Sequence, residues 1–381
     1  LVEAASLKSQ GKHTPFAGYD PSVSFTQKTE SFAVFAQNEY KLNDQVKLIG
    51  GLRYWHDNKV GDYAATHVLP LYALSLRFGP KGVSYTDLTG TNSPASWTFG
   101  AGTSGVTITP EAASPNFSGV TARAAIEYKP SDQVLAYVSY NRGSKSGGFT
   151  FSTGTPFPSQ LVDTLNNLAY RPETLNDYEV GLKTTLAPGT TFNLAAFYYD
   201  YKNYQAFVQV GFTQVVRNLP AKVKGIEADF TTRPAPGLTL QLSGTYLDSE
   251  VKDVLLPDGA TIVTRDLPQA PKLSGSALAR YEFALAGGTA SVQADAIFQG
   301  KMCFTVMCAP VEGEGGYAVA NGRLGFTTAD EKVDVALFVN NLFNRAYRVY
   351  AFDGSLYWGD TLGVYAKPRT WGLTVRYNFG K

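Results

Sequence analysis

The sequence predicts an antiparallel transmembrane β-barrel, an all-β fold, and three observations lead to this fold class. Segments in which apolar and polar residues alternate recur along the chain, as in strands with one apolar and one polar face. Short turns alternate strictly with longer connections, which is typical of membrane barrels. Charged residues make up only 17% of the 381 residues, against roughly 25% in ordinary soluble domains.

Composition also limits the classes of function. The formal net charge of +1 gives no electrostatic reason to expect a nucleic-acid partner. No run of about 18 or more apolar residues is present, so we predict no transmembrane helix. His13, His56 and His67 lie far in sequence from the two cysteines, and we therefore expect neither a metal site nor a cofactor.

Thirteen strands are predicted from the alternation. They cover residues 31–40, 45–56, 117–129, 133–142, 177–186, 191–201, 222–232, 238–248, 272–283, 289–299, 317–327, 332–343 and 370–379. We interpret residues 1–30 as irregular and 57–116 as a long loop. The longer connections that follow cover residues 143–176, 203–221, 250–270, 301–316 and 348–363, with a further strand extension open at 206–216.

The lengths of the connections predict which side of a membrane each one occupies. A soluble sandwich has no reason to place every short turn at one end, whereas a barrel has short periplasmic turns and long extracellular loops. The last strand ends on the short-turn side. Counting thirteen antiparallel strands back from it places the start of the first strand on the long-loop side. Complete bacterial barrels have an even number of strands. We therefore expect residues 1–381 to be the C-terminal portion of a larger barrel.

Four stretches carry a resemblance to a known family. They are YVSYNRGSKSGGF at 137–149, YRPETLNDYEVGLK at 170–183, VNNLFNRAY at 339–347 and PRTWGLTVRYNF at 368–379. Each resembles a recurring motif of TonB-dependent outer-membrane receptors, and residues 31–59 are similar to the family too. The resemblance implies a barrel of about 22 strands, and we expect the plug domain and the first strands to be absent from this chain.

The resemblance also implies a function. The family takes up a scarce ligand, such as a siderophore–iron complex, across the outer membrane. The energy comes from the TonB complex, which contacts the plug. Expected partners are therefore this small-molecule ligand, the TonB complex, outer-membrane lipid and lipopolysaccharide. A passive, porin-like diffusion barrel is the alternative, because a lumenal wall with charges of both signs suits either.

An enzyme is not expected. Glu173 and Glu179 flank one predicted strand, and paired carboxylates can act as acid–base catalysts. No nucleophile, metal ligand set or further base accompanies them at a workable spacing. We interpret them as structural lumenal charges, able to pair with Arg171 or Arg142.

Two groups of residues are candidates for ligand binding in the extracellular loops. Arg142 and Lys145 lie where a strand leaves the membrane, and they could face an anionic chelate in the outer vestibule. A lipopolysaccharide contact or a loop-shaping motif is the alternative for this pair. Tyr350, Tyr357 and Trp358 crowd the last loop, as a ligand platform or as part of an aromatic girdle at the membrane interface.

Two further assignments concern assembly. Cys303 and Cys308 could form a local disulfide in an oxidising compartment, or remain two free thiols. The last strand matches the family's terminal signal for membrane assembly, although Gly380 and Lys381 follow its final aromatic residue. The residues of this proposed signal are Trp371, Leu373, Val375, Tyr377 and Phe379.

Overall fold

The computed structural model describes residues 22–66, 73–79, 82–87, 116–150, 169–210, 213–257, 260–355 and 359–379. Its first strands in chain order are β1 (Ser22–Lys41), β2 (Val46–Thr66), β3 (Ala73–Gly79), β4 (Gly82–Asp87), β5 (Asn116–Ser131), β6 (Val134–Lys145), β7 (Gly148–Phe149), β8 (Ala169–Tyr170), β9 (Glu173–Ala187), β10 (Thr190–Val210) and β11 (Thr213–Ala235).

The remaining strands are β12 (Leu238–Leu255), β13 (Ile262–Arg265), β14 (Leu273–Leu285), β15 (Gly288–Gln299), β16 (Met302–Cys303), β17 (Gly313–Glu314), β18 (Tyr317–Thr328), β19 (Val333–Asn340), β20 (Arg348–Asp353), β21 (Thr361–Tyr365) and β22 (Thr370–Tyr377). A short 3-10 helix, Pro310–Glu312, precedes β17. Within the described ranges, no helix is long and apolar enough to cross a membrane.

Thirteen of the strands form one continuous antiparallel meander, as predicted. Its order is β1, β2, β5, β6, β9, β10, β11, β12, β14, β15, β18, β19 and β22. Every pairing within it is antiparallel, and each strand pairs with its neighbour in this order. In the described part of the chain, β1 and β22 are the two edges of the meander.

Several predicted loops are instead continuations of strands. β1 begins at Ser22, so residues 22–30 are not irregular. The predicted loop 57–116 is wrong in part, because β2 runs to Thr66 and pairs with β3, which pairs with β4. β10 and β11 continue together through the extension that was left open at 206–216, and β20 and β21 pair within the last loop. In β3 the residues Leu74, Leu76 and Phe78 alternate with Ser75 and Arg77, so the alternation of the predicted strands continues into this stretch.

The two faces of the meander differ as a membrane barrel requires. On the outer face, apolar side chains are solvent-accessible in the isolated chain and would contact lipid. These exposed residues include Leu52, Tyr54, Val138, Val180, Ile226, Leu242, Leu324, Leu337, Leu373 and Val375. The opposite, lumenal face carries hydrogen-bonded polar side chains such as Asn141 and Asp177.

Aromatic residues on the lumenal face lie over glycines of the neighbouring strand. Four direct cross-strand pairs show this: Trp55 with Gly119, Tyr137 with Gly181, Phe197 with Gly225 and Phe338 with Gly372. A Cβ atom on Gly119 would lie 2.8 Å from the Trp55 ring, and one on Gly372 would lie 2.6 Å from the Phe338 ring. The missing side chain thus makes room for the ring to lie along the wall.

The register shows how the strands are inclined. One unbroken row of cross-strand partners runs from β11 to β22 through Thr232, Leu240, Ala279, Ala294, Gly322, Val339 and Trp371. Thr232 lies beside the short turn at the end of β11, whereas Trp371 lies at the loop end of β22. A row perpendicular to the strands therefore crosses from one end of the sheet to the other, as the tilt of barrel strands requires.

Candidate functional site

The lumenal wall is a network of polar side chains that bind one another. The Tyr137 hydroxyl donates a hydrogen bond to Glu179 at 2.5 Å, and the Asn141 amide donates to Asp177 at 2.9 Å. On the other half of the sheet, Asn321 donates to Asp295 at 2.7 Å. Three carboxylates of the wall are thus held by neutral hydrogen-bonding partners, and these contacts contain no nucleophile–base arrangement.

The predicted pairing of Glu173 and Glu179 with arginines is not what the structure shows. Glu179 binds Tyr137, and Glu173 Oε2 accepts a hydrogen bond from the backbone N–H of Gln205 at 2.7 Å. The Arg142 guanidinium donates to Asn176 at 2.8 Å. The two carboxylates therefore serve different parts of the fold, since Glu179 belongs to the wall and Glu173 fastens the extension above it.

Arg142 lies on the outer face and not in the vestibule. Arg142 and Tyr140 are two residues apart on β6 and therefore lie on the same face of the strand. Both donate to Asn176 Oδ1, Arg142 at 2.8 Å and Tyr140 at 3.0 Å. Tyr140 also contacts Tyr178, which is half exposed on the lipid-facing side, with ring centroids 5.2 Å apart. The role of Arg142 in ligand binding stays a prediction. Arg142 is four residues from the lipid-facing Val138 on the same strand, and this even spacing is the sequence signal that places Arg142 on the outer face.

The outer face changes from apolar to charged along the next rows. Tyr178 and Tyr198 have ring centroids 6.3 Å apart, and Lys224 is the cross-strand partner of Tyr198. Lys224 forms a salt bridge with Asp248 at 3.0 Å. Aromatic residues followed by charged residues are typical of a membrane interface. The extracellular boundary of the lipid-facing band therefore lies at these positions.

One loop is folded against the extended part of β10 and β11. The Gln205 side chain donates hydrogen bonds to the carbonyl oxygens of Ser146 at 3.0 Å and Arg171 at 3.2 Å. The backbone N–H of Val216 donates to Thr150 Oγ1 at 3.2 Å. Both described ends of the connection between β6 and β9 are thus fastened to the same hairpin. Lys145, at the end of β6, is exposed beside this attachment.

Lys59 fastens the same loop from the other side. Its ammonium group donates to the carbonyl oxygen of Gly147 at 2.7 Å and lies 5.6 Å from the centroid of the Phe117 ring. Burial lowers the pKa of Lys59, although Asp57 opposes the effect. The ammonium group is partly buried, and one carbonyl oxygen and one aromatic ring face compensate for the hydration that it loses.

A second loop covers the apolar part of the extension. Val306, 1% exposed, and Met307 belong to a cluster with strand residues of β10 to β12. The other buried members of this cluster are Ala206, Val208, Leu219, Ala221, Val251 and Val254. Cys303 and Cys308 enclose this loop as a disulfide, with Cα atoms 5.4 Å apart. The loop is therefore anchored at its base and buried at its tip.

Buried acidic groups organise the surroundings of the disulfide loop. Glu312, 2% exposed, accepts hydrogen bonds from Thr305 Oγ1 at 2.6 Å, from the Ala309 N–H at 2.9 Å and from the Asp353 N–H at 3.1 Å. Glu314 forms a salt bridge with Arg348 at 2.8 Å. The loops before β18 and after β19 are thus joined into one structure, which sequence reasoning missed because the joining partners, Glu312 with Asp353 and Glu314 with Arg348, are distant in sequence.

The aromatic candidates of the last loop are only partly described. Tyr350 lies on β20, where its ring centroid is 6.2 Å from that of Phe304. It therefore packs on the loop that carries the disulfide, as part of the joined structure. Tyr357 and Trp358 lie outside the described residues. Across the ranges that are described, no group of three or more His, Cys, Asp or Glu side chains could hold a metal ion.

These features define a class of protein, a transmembrane β-barrel with a polar lumenal wall and loops packed against the extended ends of its strands. The TonB dependent receptor-like, beta-barrel family matches residues 5–342. The chain belongs to this family of TonB-dependent receptors, whose members are Gram-negative outer-membrane receptors and transporters and not enzymes.

Solved structures show the same fold. The ferric yersiniabactin uptake receptor FyuA from Yersinia pestis matches with a TM-score of 0.70 and 19% identity over 94% of this chain and 47% of its own. The siderophore receptor PiuA from Acinetobacter baumannii matches with a TM-score of 0.63 and 18% identity over 93% of this chain and 44% of its own. The ferric-catecholate import receptor Fiu from E. coli K12, in its closed form, matches with a TM-score of 0.60 and 22% identity over 93% and 45%. This chain spans about half the length of each.

Proposed function

We propose that this chain forms the barrel wall and mouth of an outer-membrane active transporter for a scarce ligand such as a siderophore–iron complex. Energy from the TonB system acts through the plug that the family implies, and the wall described above provides its seat. The observation that carries the proposal is the packing of two loops against the extended strands. The loops at 146–150 and 303–308 are fastened to the extended parts of β10, β11 and β12.

The polar wall is compatible with such a mechanism. Its carboxylates already have partners in the wall, as Glu179 has Tyr137 and Asp295 has Asn321. A plug that docks on this wall therefore meets hydrogen-bonding groups of modest strength, and its release costs less than the separation of buried ion pairs. The apolar outer face contacts the lipid.

Transport by the full-length protein tests the proposal. A strain that lacks the gene is complemented with it, and uptake of radioactive iron is measured with a panel of ferric siderophores. We expect uptake of at least one siderophore, and its loss when a protonophore removes the proton gradient. The control is a strain complemented with an unrelated porin.

The alternative is a passive diffusion barrel, since the mixed charges of the wall also suit a water-filled pore. In that case planar bilayers containing the protein show a steady conductance, and solute entry is insensitive to the protonophore. This pair of results contradicts active transport.

A further inference from the structure

At the long-loop end of the sheet, β10 and β11 continue as a ribbon of two strands. In the described part of the chain, β9 pairs with β10 only as far as Lys202, and β12 pairs with β11 only as far as Ala221. Among the described strands, residues 204–210 and 213–219 pair with each other and with no third strand. We call this segment the upper ribbon. An isolated pair of strands is marginally stable at best in water, so the upper ribbon depends on what packs against it.

One side of the upper ribbon carries residues 146–150. The Gln205 side chain donates to the carbonyl oxygen of Ser146 at 3.0 Å, and the backbone N–H of Val216 donates to Thr150 Oγ1 at 3.2 Å. Gln205 and Val216 are only 6% and 7% exposed. This side of the ribbon is therefore shielded from water.

The opposite side carries the disulfide loop, residues 303–308. Neighbouring residues of a strand point to opposite faces, so Ala206 faces away from Gln205. Val306, 1% exposed, is the most deeply buried residue that the disulfide loop contributes to its apolar cluster. The upper ribbon contributes three buried side chains to the same cluster: Ala206, Val208 and Leu219. The ribbon thus lies between two loops that are distant from each other in sequence.

Each of these loops also has contacts of its own that do not involve the ribbon. β7, within residues 146–150, pairs with β8. Glu312 accepts hydrogen bonds from Thr305 Oγ1 and from the backbone N–H of Ala309, at the two ends of the tip of the disulfide loop. Either loop can therefore leave the ribbon as a unit while it keeps these contacts.

We propose that the upper ribbon couples the two loops, so that the release of either loop loosens the other. When one loop leaves, the ribbon loses the packing on one of its two sides, becomes less ordered and supports the remaining loop less well. The coupling is reciprocal, because the same ordering of the ribbon enters both events. In the proposed transporter, a ligand that displaces one loop would release both, and this consequence, unlike the coupling itself, rests on the proposed function.

Hydrogen exchange of the purified full-length protein in detergent, measured by mass spectrometry without ligand, tests the coupling from both sides. Val306→Asp disturbs the disulfide loop, and Thr150→Val removes the acceptor of the Val216 N–H in the other loop. We expect Val306→Asp to speed exchange at residues 146–150 about fivefold or more, the usual size of coupling between two sites. Thr150→Val should speed exchange at residues 303–308, and both variants should speed exchange in the upper ribbon.

Matched controls separate this coupling from a general loss of stability. Val311→Asp places a carboxylate beside the disulfide loop at a residue that is 37% exposed. Thr289→Val changes an exposed threonine at the short-turn end of β15. Both controls should exchange as the native protein does in the two loops. Heat-modifiable migration shows that the barrel is folded, and Val306→Ala replaces Val306→Asp if the latter fails to fold.

Either of two outcomes overturns the proposal. In the first, the Val306 variant exchanges faster at residues 303–308 but keeps the native rate at residues 146–150. In the second, the distant loop responds while the upper ribbon keeps its protection, which means that the ribbon does not carry the effect. Iron uptake is measured separately. Its absence in the native protein contradicts the proposed function and leaves the coupling intact, whereas independent loops in an active transporter contradict the coupling alone.

Discussion

Gln205 and Glu173 hold the extracellular extension of β10 against the strand that follows the folded loop. The backbone N–H of Gln205 donates to Glu173 Oε2 at 2.7 Å, while its side chain binds the carbonyl oxygens of Ser146 and Arg171. Gln205 is 6% exposed, so these groups cannot exchange their partners for water without the loop opening.

Replacement of Gln205 by Leu should release this loop. The substitution keeps the size of the side chain but removes the donor to the Ser146 carbonyl oxygen, at a cost of about 1–3 kcal/mol for a buried group, whereas the Arg171 carbonyl oxygen still accepts from the Asn218 side chain at 3.0 Å. We expect faster hydrogen exchange at residues 143–150, measured by mass spectrometry. The matched control is Gln241→Leu on β12, an exposed glutamine, and unchanged exchange in the Gln205 variant contradicts the attachment.

Val306→Asp should expel the tip of the disulfide loop. The carboxylate would be buried among apolar side chains with no partner, and it must either reach water or destroy the packing. We expect the amides of 303–308 to lose their protection while the barrel stays folded. Val311→Asp is the control, because Val311 is 37% exposed. Reduction of the Cys303–Cys308 disulfide should also lower the amide protection of residues 303–308, but to a smaller extent. Equal protection of these amides in all samples would falsify the buried tip.

Gly181→Ala should disturb the lumenal wall by displacing one ring. The new Cβ atom would fall within the Tyr137 ring's van der Waals radius, and movement of the ring breaks its hydrogen bond to Glu179. We expect a lower melting temperature, corresponding to about 1–3 kcal/mol for an overpacked site. Gly50→Ala is the control, since nothing lies within 4 Å of its added Cβ atom. Equal melting of the two variants contradicts the ring placement.

Phe379→Ala tests the proposed assembly signal. Phe379 is 90% exposed, and its ring lies 4.7 Å from that of Tyr377. Its loss changes little inside the protein but removes an aromatic group that would face lipid or the assembly machinery. We expect a several-fold drop in the fraction of protein that migrates as a heat-modifiable barrel. Phe343→Ala, at an aromatic residue after β19 that is 77% exposed, should assemble normally.

The parts of the fold that could be predicted are those with a local physical cause. Lipid on one side and a polar lumen on the other impose alternation, and all thirteen strands of the meander were found from it. The same alternation places Arg142 on the same face of β6 as Val138, a signal that was not used when Arg142 was assigned to the vestibule from its charge alone. Contacts such as Val306 with β12 depend on partners distant in sequence, and no local pattern announces them.

Along the diagonal row from Thr232 to Trp371, the position of a residue indicates its depth in the membrane. Six steps of about 4.8 Å between strands, inclined by about 40°, correspond to a climb of roughly 19 Å, most of the roughly 25 Å apolar band. Successive cross-strand partners along the row therefore lie at different depths, from one membrane interface through the hydrocarbon to the other interface. Ala279 and Ala294 lie near the middle of this row, where a charged side chain is least tolerated. Each is only one strand away from the next member of the row.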